Sequence, residues 1–238
     1  MMSYTTLGFA LIGGILPAII WLYFILKEDE RCPEPQPLII IAFFTGVLAV
    51  ALALPLEQLA KTVLSGELSV LVSWAAIEEV LKYGLVALAV LWRKDVNEPI
   101  DLVIYMITAA LGFAALENVL FFLQALTTHG FWGSAGALAT GNLRFIGSTL
   151  LHVVASATIG FAMAFAFRKS MMLRTAFVSV GLVLAIALHT AFNFLIISGD
   201  GTRTLFAFFI VWSGAILFFA IFEALKYIRY RSLPTNTC

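Results

Sequence analysis

The chain has 238 residues, of which 62% are hydrophobic and 12% charged, and its 14 Lys plus Arg balance 14 Asp plus Glu. Soluble domains carry about 25% charged residues, so a soluble enzyme or a charged adaptor module is excluded, and a net charge of zero leaves no basic face for nucleic acid. Apolar runs of about 20 residues recur along nearly the whole chain, which reads as a single integral membrane domain over residues 1–238.

In chain order, these runs predict about seven transmembrane helices at 7–26, 38–58, 68–92, 100–127, 144–167, 173–198 and 204–227. The first run has no basic start and is long enough to span, so it reads as a retained helix rather than a cleaved signal. Connections such as "KEDERCPEPQP" and "WRKDVNEPID" break the apolar periodicity with Pro, Asn and charge. A membrane strand would alternate polar and apolar residues over about ten positions, so the fold class is all-α, a polytopic transmembrane helix bundle.

Lys27, Arg31, Arg93, Lys94, Arg168, Lys169 and Arg174 fall in the loops after helices one, three and five, and Lys226, Arg229 and Arg231 close the chain. The opposite side holds Lys61, Arg144 and Arg203. Basic residues concentrate on the cytoplasmic face, which puts the N-terminus outside and the C-terminus in the cytoplasm. Cys32 and Cys238 match neither a zinc ribbon nor a disulfide framework and read as reduced thiols on that face.

A charge at the centre of a spanning helix costs on the order of 3 kcal/mol, so it is paired, hydrated or functional. Helix three carries Glu78, Glu79 and Lys82, helix four Glu117 and Asn118, helix five His152, and helix six His189 and Asn193. Counted from the outer helix ends, Glu78, Glu117, His152 and His189 all lie about 12–15 Å deep at ~1.5 Å per residue. A lone His or Asn in a membrane helix ordinarily serves as an interhelical hydrogen-bonder. Four helices placing titratable groups at one depth, in a chain with three histidines, argue instead for a functional site within about 68–198.

His189 and Asn193 share a helix face four residues apart, and Glu78 and Lys82 have the same spacing in the favourable acid-first order. Glu79 points about 100° round the helix from Glu78, so the two carboxylates cannot both point to the same spot. Arg144 is either an anchor at the membrane edge or a contributor to the site's field, and His129 sits in the polar connection "TTHGFWGSAG" as an incidental residue.

This set suits hydrolysis. A carboxylate in an apolar cavity is a base for water, and His and Asn side chains can donate to the oxyanion formed on an amide. Two histidines and a glutamate also make a catalytic zinc set with an open water position, although no HExxH motif is present. The competing class is an ion- or proton-coupled transporter using the same buried Glu/His layer, for which no internal repeat is visible.

Four pieces stand in order over residues 78–193: Glu78-Glu79-x-x-Lys82, Phe113-x-x-x-Glu117-Asn118, His152 with Gly160 eight positions on, and His189-x-x-Phe192-Asn193. Together they resemble the PrsW family of intramembrane proteases and, more distantly, the CAAX prenyl endopeptidases and bacteriocin-processing enzymes. The resemblance implies a peptidase in which Glu78 activates water, supported by Glu79, while Glu117 and the histidines bind water, metal or oxyanion. It also implies a membrane-tethered protein substrate, such as an anti-sigma factor, cut on the outer side. In the CAAX relatives the second motif ends in His where this chain has Glu117. Zinc-dependent and metal-free glutamate mechanisms are both open at this level.

The orientation has a direct test. A fluorescent protein fused after Cys238 should fluoresce and a phosphatase fused there should stay inactive; the reverse pattern would invert the topology and the depth count.

Overall fold

The computed structural model describes residues 4–29, 32–197 and 201–232, with the side chains of 129–146 and 228–232 outside the description. The described residues form helices α1 (Tyr4–Lys27), α2 (Gln36–Val63), α3 (Glu67–Val86), α4 (Pro99–Phe165), α5 (Met171–Ile197) and α6 (Gly201–Ser232), and a π-helical turn, Ala87–Leu91, extends α3. No strand occurs among the described residues.

Local chemistry sets the boundaries. Pro37 lies in the first turn of α2, where a missing N–H costs nothing. Asp101 accepts the backbone N–H groups of Asn97 at 2.9 Å and Glu98 at 2.8 Å, and this capping box opens α4 by satisfying donors that the first helical turn leaves free. Gly66, at φ 98°, turns the chain between α2 and α3 in a conformation that suits a residue without Cβ. Before α2, the Tyr105 hydroxyl donates to Glu34, whose carboxyl burial pushes up to about 8.

The fourth and fifth expected spans are two arms of α4, Pro99–Thr128 and Gly147–Phe165. The arms pack side by side in opposite directions: Gly160 meets Val103, and Asn118 donates to Thr149 at 3.0 Å. The connection expected as a polar loop is helical in its backbone, in keeping with its Ala and Leu content and the lack of any proline between Pro99 and Pro234.

Among the described residues, six stretches are long and apolar enough to cross a membrane, namely α1, α2, both arms of α4, α5 and α6 through Tyr227. The third expected span, α3, has 20 residues before its π turn but falls outside that set because it carries the buried Glu78, Glu79 and Lys82. The chain is a multi-pass integral membrane protein. Cys32, read above as a reduced thiol, is disulfide-bonded, since ligand spacing along a chain does not reveal a long-range pairing; Cys238 lies outside the described residues.

The first arm of α4 is the axis of the bundle. Ile104 to Ile107 and Ala109 to Leu111 have no exposed surface, and α1, α2 and the second arm pack against this arm. Outward-facing Phe44, Leu48, Val183 and Phe209 are exposed, as lipid contact requires. Between apolar helices in lipid, close backbone packing takes over from the hydrophobic effect. A Cβ added to Gly46 would stand 1.8 Å from the Ala109 carbonyl oxygen, and one added to Gly112 would stand 1.9 Å from that of Phe43.

Gly112→Ala should therefore push α2 off α4 and cost about 1–3 kcal/mol or more by overpacking, seen as a lower thermal unfolding midpoint in detergent. Gly84→Ala, with nothing within 4 Å of the added Cβ, should leave the midpoint unchanged or slightly raised.

Candidate active site

On α3, Glu78, Glu79 and Lys82 point into the bundle with at most 6% of their surface exposed. An ammonium group donates only. Lys82 Nζ donates to Glu79 Oε1 at 2.6 Å and to His152 Nδ1 at 2.9 Å, and it stands 3.7 Å from Glu78 Oε2. Its other neighbour is the Phe113 ring, 4.3 Å away at the centroid, a cation–π contact.

These contacts settle the tautomers. Because His152 Nδ1 accepts from Lys82, its ring proton sits on Nε2 and is donated to Glu117 Oε2 at 2.9 Å. His189 Nδ1 donates to Glu79 Oε1 at 2.8 Å, so a neutral His189 presents the Nε2 lone pair. Ser148 donates to Glu117 at 3.1 Å, and Ser156 reaches the second oxygen of Glu79 at 3.5 Å. Each histidine is thus backed by one carboxylate, an arrangement that fixes a ring and aims its other nitrogen.

Both aimed nitrogens face Glu78. Its Oε2 lies 3.9 Å from His152 Nδ1 and 3.8 Å from His189 Nε2, is buried, and has no hydrogen-bond partner among the described residues. The donor atoms of Glu78, His152 and His189 all lie within 4.8 Å of one another. Tetrahedral zinc, with bonds of about 2.0–2.2 Å, sets its donors about 3.3–3.6 Å apart, so small side-chain movements would fit this trio to such an ion. The trio contains Glu78 where the resemblance implied Glu117, which in the structure lies on the far ring nitrogen of His152.

A cavity of about 250 Å³ reaches this centre. Glu78, Glu117, His152, His189 and Asn193 line it, together with Glu57, Trp74, Gln124 and Ser148, which sequence reasoning did not single out. It runs toward the end of the bundle where α2 stops and α3 starts, the end expected to face outward. Trp74 donates to the Glu57 carbonyl at 3.0 Å and ties α3 to α2 at the mouth. Asn118 is not part of the cavity lining; it bonds the two arms of α4. The side chains of Arg144 and His129 lie outside the described residues.

Residues 34–223 match the family model described as PrsW family intramembrane metalloprotease. The chain belongs to the PrsW family. It is therefore an enzyme, an intramembrane protease, and the matched segment contains the whole constellation from Glu57 to Asn193. The chain is similar to proteins called Protease PrsW from three organisms. It is 26% identical to that of Bacillus subtilis (strain 168) over 79% of this chain and 83% of the relative. The identity is again 26% with that of Clostridioides difficile (strain 630), over 77% of each, and with that of Geobacillus kaustophilus (strain HTA426), over 95% and 97%. No solved structure matches the chain.

Within this PrsW constellation, Glu79→Ala would strand the Lys82 ammonium in the interior. Breaking a buried pair from one side costs about 3–5 kcal/mol, so the variant should lose yield or unfold well below wild type, whereas Glu79→Gln, which keeps an acceptor for Lys82, should be milder.

Proposed function

We propose that this PrsW-family enzyme hydrolyses peptide bonds of membrane-tethered proteins, with an anti-sigma factor as the type of substrate, using water activated at Glu78. The observation that carries the reading is the Glu78 carboxylate on the cavity wall, with a buried oxygen that has no hydrogen-bond partner among the described residues and two histidine nitrogens 3.8 and 3.9 Å from it. The substrate type is what the resemblance implies, and the outward depth expected from the Lys and Arg placement supports it.

In this proposal, water in the cavity gives a proton to Glu78 as its oxygen attacks the peptide carbonyl carbon. The C–N bond then breaks as Glu78 passes that proton to the leaving amine, the double duty of a general base and acid. Asn193, on the same wall one helical turn from His189, donates to the oxyanion. Held by Glu79, neutral His189 offers a lone pair, whereas its protonated form would donate. Glu79 and Glu117 act as positioning residues.

Zinc is the cation proposed for this centre. It would be held by His152, His189 and one carboxylate oxygen of Glu78, leaving the other oxygen of Glu78 to take the proton, and it would supply Lewis acidity and a more acidic bound water. The three aimed donor atoms support that choice.

Glu78→Gln keeps size and polarity but cannot take the proton, so turnover of a membrane-tethered reporter should fall about 10²–10⁴-fold with normal insertion. Asn193→Ala should cost roughly 3 kcal/mol in the transition state if it serves as an oxyanion donor. A Glu78→Gln protein that cuts at the wild-type rate would end the assignment.

A further inference from the structure

The most unusual member of the centre is Lys82, which takes no step in the chemistry above. It has no exposed surface and shares its partners with the groups that would hold a cation. His152 can offer a cation only one nitrogen, because Nε2 is bonded to Glu117. That remaining nitrogen, Nδ1, has a single lone pair in the ring plane, and Lys82 donates into it at 2.9 Å. The same ammonium lies 3.7 Å from Glu78 Oε2, the other oxygen-side donor of the trio.

We propose that the Lys82 ammonium and a divalent cation are mutually exclusive ligands of His152 Nδ1 and Glu78 Oε2, so that Lys82 is an internal competitor that must turn aside for the centre to load. This rests on the proposed water-activating centre. One lone pair serves one partner. Two cations beside the same acceptors also repel strongly in a low-dielectric interior.

The fold provides somewhere for the ammonium to go. Glu79 Oε1 holds it at 2.6 Å and the Phe113 face lies 4.3 Å from it, while its four-carbon stem is flexible. Lys82 can therefore leave His152 and keep its charge paired. While it occupies the centre, the same ammonium holds Glu78, Glu79 and His152 together on α3 and α4. The affinity of the site for metal is then set by competition between an ion from outside and a charge built into α3.

The test compares metal affinity in the detergent-purified full chain, using cobalt(II), whose visible spectrum reports histidine ligation, with zinc displacement as the second readout. Lys82→Met removes the competitor while keeping an unbranched chain, and it should bind cobalt about 10–100-fold more tightly than wild type, the size of effect that groups behind metal ligands commonly have. Thermal unfolding with no metal added should move down in the same variant, and saturating cobalt should narrow the gap.

A role in packing alone would lower the midpoint and leave the affinity where it was, which would overturn the proposal, as would weaker binding by the variant or no histidine-bound cobalt in either protein. Lys82→Gln keeps a donor to Glu79 and should fold even where Lys82→Met does not; it too must bind more tightly. Cleavage is not read here. An active Glu78→Gln protein would remove the catalytic assignment and leave the affinity comparison to decide the role of Lys82.

Discussion

Glu79 has no exposed surface, and a buried carboxylate is tolerated only when charge and hydrogen bonds meet it from within. Lys82 meets it at 2.6 Å and His189 at 2.8 Å. The remaining architecture depends on that junction. Glu79 and Lys82 lie three residues apart on one helix and can find each other locally, but His189 must come from α5 and His152 from the second arm of α4. Satisfying the two charges therefore fixes three helices at one depth. Apolar faces in lipid cannot do this alone, because lipid chains are as good a neighbour as leucine.

Backbone contact sets the position of the fourth participant. Where Gly46 and Gly112 cross, α2 lies directly on the first arm of α4, and the Trp74 bond to the Glu57 carbonyl joins α2 to α3. Those contacts put Glu57 on the wall of the cavity whose floor holds Glu78, His152 and His189. The charge junction behind the histidines and the glycine crossing beside them thus have separate tasks: one aims the ring nitrogens, the other shapes the space in front of them.

Much of the site was legible in the sequence because ionisable residues stand out in apolar runs. Glu78, Glu117, His152 and His189 were found that way, and Asn193 by its four-residue spacing from His189. Counting along helices yields depth but not azimuth. It therefore could not tell which carboxylate faces the histidines, and Glu117, grouped with them as a metal ligand on the resemblance, lies on the far nitrogen of His152. Glu57 escaped notice because it stood one residue before the expected end of its span, where a charge reads as an interface residue. The continuous backbone of α4 was hidden by Gly, Thr and His residues that resemble a loop, although no proline interrupts them. The charges of α3 that reveal the site also keep it out of the set of apolar spanning stretches.

Taken together, the contacts describe one chemical unit: a carboxylate facing two rings, each ring held from behind by another carboxylate. Groups that act as a unit lose function non-additively, since removing one removes what the others contribute. The decisive measurement is the turnover of a membrane-tethered reporter by Glu78→Gln, His152→Asn and His189→Asn, singly and as the triple variant, each checked for normal insertion. The account predicts that each single variant falls close to the level of the triple. Single losses that are modest and multiply to give the triple would contradict a common centre and show three residues acting independently.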